Sequence, residues 1–337
     1  VKATDRKAPR GRLAPSPTGL IHLGNARTAL ASWLSVRSRG GTLVWRLEDL
    51  DTPRVVPGMD RAAEEDLAWL GLDWDESPSL GGPCAPYAQS QRAHIYGAAL
   101  LQLERVGRLF PCTRSRRDLQ DIASAPHGGA QESQEVREPP YPRELRPRTV
   151  DAAWLADVLT GKRSDAAIRF RVDDATVSFH DGVHGTVIER VSETVGDFVL
   201  RRRDGLYAYQ LAVVADDIAM DIDDVVRGAD LLDSTARQIQ LIDALGGRRP
   251  AYAHVPLVRN ARGEKLSKRD AGLTIRALRE AGVRAERVVG YLAHSLGLSE
   301  RVPEVRPTDL LAEFAWQRVS RADLVVREDL LSVLRGC

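Results

Sequence analysis

Pro15-Ser16-Pro17-Thr18-Gly19-Leu20-Ile21-His22-Leu23-Gly24-Asn25 follows a short strand-like run, Arg12-Leu13-Ala14. It precedes a segment, 25–39, in which Leu30, Ala31, Leu34 and Val36 recur at helical spacing. Pro15 to Gly19 read as the turn between them. His22 and Gly24 therefore fall where a strand hands over to a helix. Such a helix start offers unpaired N–H groups and a partial positive charge that favour phosphate, and a glycine there permits close approach to the backbone. His22 adds a donor for a phosphate oxygen whose charge grows in a transition state.

A second string, Lys265-Leu266-Ser267-Lys268-Arg269, lies in a polar loop, 259–270, after the apolar run His254-Val255-Pro256-Leu257-Val258. Lys265 and Lys268 are placed to close over a triphosphate as two mobile point charges, with Ser267 steadying the loop. A His-x-Gly before a helix is commonplace, and a lysine pair in a surface loop is usually solvated. Both together, in this order and with the Pro-Ser-Pro-Thr-Gly turn leading the first, point to one nucleotide site split across the sequence.

The 337 residues suggest about two domains and ample chain for a core. With 43% hydrophobic and 28% charged residues the composition is that of a globular protein, and no stretch has the apolar length of a membrane span. Val1 to Arg10 is polar and basic, without the apolar core of a secretory signal, so no membrane partner and a cytoplasmic location are expected. The net charge of +1 excludes a uniformly basic nucleic-acid binder. Charge is nevertheless clustered at Arg114, Arg116 and Arg117, at Arg143, Arg146 and Arg148, and at Arg201, Arg202 and Arg203, as local patches for a phosphate backbone or simply as arginine in place of lysine. Cys84, Cys112 and Cys337 are odd in number and far apart, which speaks for a reducing compartment and against a disulfide framework. A monomer is the default.

Along the chain, 42–47 reads as a buried strand, and 57–71 and 90–107 as helices. This alternation predicts an α/β layer with a parallel sheet. After Phe110 the texture changes: 124–148 is rich in Pro, Gly, Gln, Glu and Arg and reads as a long loop. The runs 167–172, 176–179 and 185–188 then read as strands of a second sheet. The α/β layer resumes with 197–201, 206–214 and 224–228, a helix over 234–245 and a strand up to Val258. Helical periodicity follows from Leu273, including 286–298 and 308–314. Asp216 and Asp217 read as solvated acids, since adjacent acids point in different directions.

Arg12-Leu13-Ala14-Pro15-Ser16-Pro17-Thr18-Gly19, His22-Leu23-Gly24-Asn25-Ala26-Arg27-Thr28-Ala29-Leu30, Arg46-Leu47-Glu48-Asp49-Leu50-Asp51 and Lys265-Leu266-Ser267-Lys268-Arg269 together resemble class I glutamyl-tRNA synthetases. Gly71-Leu72-Asp73-Trp74-Asp75, Ser90-Gln91-Arg92 and Val226-Arg227-Gly228-Ala229-Asp230-Leu231 agree, and the resemblance runs over roughly residues 9–298. It implies a class I synthetase Rossmann-type parallel sheet with an inserted α+β acceptor-type domain and a short helical C-terminal region. The expected division is 1–109 and 197–270 as the two halves of the catalytic domain, 110–196 as the insertion, and 271–337 as the helical remainder. Too little chain follows Arg269 for an anticodon-binding region. Val213 stands where full-length enzymes usually have Asn. Both features resemble the truncated paralogues, which activate glutamate with ATP and Mg²⁺ and attach it to queuosine in tRNA(Asp).

The same resemblance assigns roles. Arg12 and Arg227 are the cationic anchors for glutamate, Arg227 gripping the side-chain carboxylate. Leu13, Ala14, Pro15 and Ser16 line the pocket, Glu48 holds the ammonium, and Tyr209 walls the site. His22, Gly24, Asn25, Lys265, Ser267 and Lys268 serve ATP, with His22, Lys265 and Lys268 catalytic. Many of these paralogues bind zinc in the insertion through Cys-x-Cys, Tyr and a last Cys. Here the matching positions read Phe110-Pro111-Cys112 and Tyr141-Pro142-Arg143-Glu144-Leu145, so zinc is expected to be absent and packing to replace it. The competing expectations are a glutamyl-tRNA synthetase acting on tRNA(Glu), a non-catalytic glutamate or adenylate sensor, and a ligase with a small acceptor.

Overall fold

Four short strands rich in Val, Leu and aromatic residues run parallel at the centre of the molecule: β1 (Arg10–Leu13), β2 (Thr42–Trp45), β8 (Asp224–Gly228) and β9 (Ala251–Val255). The computed structural model describes residues 8–115, 117–119, 140–266, 271–327 and 329–335. With β5 (Val177–Asp181) and β6 (Gly185–Glu189) these strands form a six-stranded sheet in the order β2-β1-β8-β9-β5-β6. A second sheet is antiparallel, β3 (Leu109–Cys112), β4 (Ala167–Phe170) and β7 (Phe198–Arg201), in the order β3-β4-β7.

The period of two along each central strand separates two cores. Leu13, Leu43, Trp45, Val226, Ala253 and Val255 face a core made with α1 (Leu23–Arg37) and α8 (Ala285–Ser295). Val44, Val225 and Tyr252 face the other, made with α3 (Ala93–Arg105), α5 (Tyr209–Ala219) and α6 (Thr235–Ala244). Helix α1 lies between the sheet and α8 and is buried nearly all round. Gly11 lets it sit there, since a Cβ at that position would stand 2.4 Å from Val36 Cγ2.

Three sequence expectations change. First, 176–179 and 185–188 become β5 and β6 of the main sheet rather than of the second one. The buried Asp181 carboxylate accepts from the His254 amide as well as from the amides of Val183 and His184, which draws the end of β5 against β9, where Asp181 pairs with Tyr252. Second, 197–201 does not rejoin the parallel layer: as β7 it pairs with β4 in the smaller sheet. Third, Asp216 and Asp217 are buried, not solvated. Asp216 accepts from Arg92 Nε at 2.6 Å, Gln89 Nε2 at 2.8 Å and Tyr96 OH at 3.0 Å, and Asp217 accepts from Arg46 Nη1 at 2.6 Å. The helical reading of 308–314 corresponds to a 3-10 helix over Pro307–Glu313.

Much of the Pro/Gly-rich stretch lies outside the described residues. Two of the clustered arginines are used within the fold: Arg146 makes a bidentate pair with Asp197, and Arg201 donates to the carbonyls of Val158 and Leu159 at the end of α4 (Ala152–Leu159). Toward the C-terminus, α7 (Ile275–Glu280) precedes α8, β11 (Leu324–Val325) pairs in parallel with β10 (Val258–Arg259), and α9 (Leu330–Arg335) buries Leu330 and Leu334 against the first core.

Removing one charge of a buried network leaves its partners uncompensated. Asp216→Asn is therefore expected to lower unfolding stability by about 3–5 kcal/mol in urea titration, whereas a loss within experimental scatter would mean that Arg92 and Arg46 do not depend on it.

Candidate active site

The carboxyl ends of β1, β2, β8 and β9 point to one edge of the sheet, the place where open parallel sheets bind ligands. The pairing of β1 and β2 continues past both strands: Arg46 N donates to Leu13 O at 2.8 Å and Glu48 N to Pro15 O at 3.0 Å. These bonds set Glu48 beside the turn that carries Ala14, Pro15 and the exposed Ser16. Arg12, in β1, donates through Nη1 to Val226 O at 3.0 Å, and its Nε lies 3.6 Å from Asp217 Oδ1. Arg12, Arg46, Arg227 and His254 share the strand face of Val44, Val225 and Tyr252, so alternation alone gathers them on one side of the sheet.

Glu48 accepts from Arg46 Nη2 at 3.2 Å. Burial pushes its carboxyl above the ordinary value of 4.5, against the pull of Arg46 and Arg12. Tyr209, the first residue of α5, has its phenol pushed up by burial and then by the Glu48 carboxylate, with Arg227 and Arg12 opposing. Arg12, Glu48, Tyr209 and Arg227 thus share one electrostatic neighbourhood. Arg227 itself is 5% exposed and donates to neutral acceptors: Nε to His254 Nε2 at 3.0 Å, Nη1 to Gln238 Oε1 at 2.7 Å and Nη2 to Thr235 Oγ1 at 3.0 Å. The contrast with Arg46 is chemical. Arg46 is held by three carboxylates, Asp217, Asp216 and Glu48, which keep it cationic despite complete burial.

His22 caps α1. Its Nδ1 accepts from the amides of Gly24 at 3.1 Å and Asn25 at 3.2 Å, while Asn25 Oδ1 accepts from His22 N at 3.3 Å. Two of the amides expected to be open for phosphate are therefore engaged by the His22 ring, and the proton of the neutral imidazole sits on Nε2. Gly24 suits this arrangement: a Cβ there would lie 3.0 Å from the His22 ring, which would have to give way slightly. His22 also bridges Thr274, and Ile275 N donates to Ile21 O at 2.8 Å, which joins the first string to the segment following the lysine loop. Lys265 bridges Arg259 of β10 and its ammonium pairs with Asp230, in the 3-10 stretch Ala229–Ser234 just after β8. Ser267 and Lys268 lie outside the described residues.

Sequence reading missed Asp181, His254, Thr235 and Gln238 around Arg227 and Asp230 as the partner of Lys265, and it took the buried Asp216–Asp217 pair for solvated acids. A signal was present for His254. Its place two residues after Tyr252 in a strand puts it on the same face as its cross-strand neighbour Arg227, with which it pairs in register.

A parallel α/β sheet with such a cation-lined edge and a helix-capping histidine defines a class I synthetase catalytic fold. The chain belongs to the family of class I tRNA synthetases (E and Q), catalytic domain, which matches residues 9–330. It is 44% identical over 326 residues to a glutamyl-Q tRNA(Asp) synthetase of Nitratidesulfovibrio vulgaris, covering 97% of this chain and 98% of that one. A glutamate--tRNA ligase 2 of Syntrophus aciditrophicus is 36% identical over 96% of this chain and 65% of its own. Among solved structures, glutamate-tRNA synthetase from Elizabethkingia anophelis superposes with a TM-score of 0.81 at 30% identity, over 97% of this chain and 70% of that one.

Because burial raises the Glu48 carboxyl, ionising it costs stability: nothing below pH 4.5, where folded and unfolded chains both hold the proton, an increasing amount from 4.5 up to its raised value, and a constant amount above that. Glu48→Gln keeps an acceptor for Arg46. Its melting temperature is expected to exceed that of the wild type at neutral pH and to converge with it below pH 4.5; the reverse order at neutral pH would show that Arg46 and Arg12 outweigh burial.

Proposed function

We propose that this protein activates glutamate with ATP and transfers the glutamyl group to queuosine in tRNA(Asp). The observation that carries the glutamate reading is Arg227: a buried guanidinium whose recorded hydrogen-bond partners are neutral, close to Glu48, Tyr209 and Arg12. A buried cation with that environment favours a ligand that brings a carboxylate, and the planar fork suits a bidentate grip. The identity of 44% with a glutamyl-Q tRNA(Asp) synthetase supports the queuosine acceptor.

In the proposed assignment, Arg227 takes the side-chain carboxylate, Glu48 the ammonium and Tyr209 the wall, while Arg12 and the turn Leu13-Ala14-Pro15-Ser16 frame the α-carboxylate. The ammonium favours the ionised form of Glu48, against the burial that opposes it. An α-carboxylate oxygen attacks the α-phosphorus of ATP, the bond to the β-phosphate bridging oxygen breaks, and pyrophosphate leaves. His22 Nε2–H, Lys265 and Lys268 offset the charge that grows on the phosphates, with Gly24, Asn25 and Ser267 shaping the nucleotide cradle. Lys265 exchanges Asp230 for phosphate as it does so. Mg²⁺ accompanies ATP and would be held mainly by its phosphates. A queuosine hydroxyl then attacks the glutamyl carbonyl, AMP departs with the bonding pair, and the hydroxyl proton passes to phosphate or water. The enzyme acts as a cytoplasmic monomer.

The described residues around Cys112 and Tyr141 do not suit a structural zinc. Among the described residues no three metal-ligating side chains cluster. Cys112 Sγ lies 3.6 Å from Tyr141 OH in an apolar group with Phe110, Leu145 and Val150, and the Arg169 guanidinium stacks 4.4 Å from the Tyr141 ring centroid, where its charge opposes a metal cation. A chelator is expected to leave the melting temperature unchanged; stoichiometric zinc whose removal lowers it would refute this.

Labelled glutamate, ATP and Mg²⁺ with bulk tRNA from queuosine-replete and queuosine-deficient cells tests the whole reading. Label confined to replete tRNA is expected, and equal label on both would move the acceptor to tRNA(Glu). Arg227→Lys loses the fork but keeps the charge, so its KM for glutamate in pyrophosphate exchange is expected to rise roughly 30-fold or more.

A further inference from the structure

Arg227 is held in place by a relay that begins on the far side of the sheet order, on β5. Arg227 Nε can only donate, so the His254 Nε2 that faces it at 3.0 Å carries no proton. The proton of the neutral ring is then on Nδ1, which donates to Asp181 Oδ2 at 2.6 Å. Asp181 is itself fixed by the amides of Val183 and His184 at 3.0 and 2.9 Å, and both Asp181 and His254 are wholly buried. The Thr235 hydroxyl, which accepts from Arg227 Nη2, lies 3.2 Å from the same Nε2. Gln238, which accepts from Nη1, is oriented in turn by donating to Gln210 Oε1 at 2.7 Å.

From this geometry we infer that Asp181 and His254 are positioning residues for substrate recognition: Asp181 selects the Nδ1–H tautomer of His254, and His254 aims the Arg227 fork while leaving its charge available to the substrate carboxylate. A carboxylate in the place of the imidazole would aim Arg227 equally well but neutralise it, as Asp217 does for Arg46. An imidazolium would set an N–H against the guanidinium N–H. The neutral, tautomer-locked imidazole avoids both. Three of the five guanidinium N–H groups are directed to His254, Gln238 and Thr235, and one on each terminal nitrogen is left to meet the two oxygens of a carboxylate. Burial, followed in effect by the Asp181 hydrogen bond that opposes it and by Arg227, holds His254 below its ordinary value, in keeping with a neutral ring.

This inference rests on the proposed glutamate specificity, and pyrophosphate exchange on the whole 337-residue chain separates the two. Wild-type protein without glutamate-dependent exchange overturns the specificity and the relay with it. With an active wild type, His254→Gln, whose amide oxygen reaches the position of Nε2, is expected to keep KM for glutamate within about threefold of the wild type. His254→Asn, which reaches only the position of Nδ1, is expected to raise it roughly tenfold or more, with KM for ATP unchanged in both variants. Equal impairment of the two, or parallel changes in the two KM values, would reduce His254 to a packing residue and overturn the relay. A measurement on the wild type is independent of how the variants fold: ¹⁵N NMR of the imidazole is expected to show a protonated Nδ1 and a bare Nε2 at neutral pH. Finding the proton on Nε2 would overturn the relay.

Discussion

Guanidinium groups buried on one face of a parallel sheet set the terms for everything around them. Arg12, Arg46 and Arg227 stand on the strand face covered by α5 and α6, in a layer where an uncompensated charge is expensive. The helices answer in two ways. Helix α5 supplies Asp216 and Asp217, which neutralise Arg46 and, with Gln89 and Tyr96, tie Arg92 and α3 to the same point. Helix α6 supplies Thr235 and Gln238, which satisfy hydrogen bonds of Arg227 without cancelling its charge. One face thus contains an arginine compensated by carboxylates, Arg46, and an arginine met by neutral acceptors, Arg227.

Backbone continuity brings the split sequence together. Hydrogen bonds from Arg46 and Glu48 to Leu13 and Pro15 extend the β1–β2 pairing into the turn, so the acid at Glu48 is placed by the sheet rather than by a flexible loop. Ile21 and His22 meet Thr274 and Ile275, and β10 and β11 brace the base of the lysine loop, with Arg259 paired to Asp323. The helix start at His22 is closed by its own ring. A phosphate there would meet the Nε2–H edge, while the amides of Gly24 and Asn25 hold that ring in orientation.

Much of this could be read before the fold was known, and the failures have a common cause. The strand, turn and helix around His22 were legible because Pro, Gly and 3.6-residue spacing act locally. β5 and β6 were misplaced because two short alternating runs pair equally well with either sheet, and the choice rests on Asp181 reaching His254 across the chain. Asp216 and Asp217 looked solvated because nothing local announces that Arg46, Arg92 and Arg12 will arrive from three other elements. His254 was hidden inside an apolar run, although its spacing from Tyr252 gave its face.

The sequence by itself determined the order of strands and helices and the start of a helix at His22 and Gly24, since each depends on neighbours within a few residues. Only the tertiary structure decided which arginine is neutralised and which is kept charged. That outcome depends on distances between Arg227, His254, Asp181, Asp216 and Asp217, which lie on four different elements, and electrostatic energy in a buried layer is fixed by separation in space rather than along the chain.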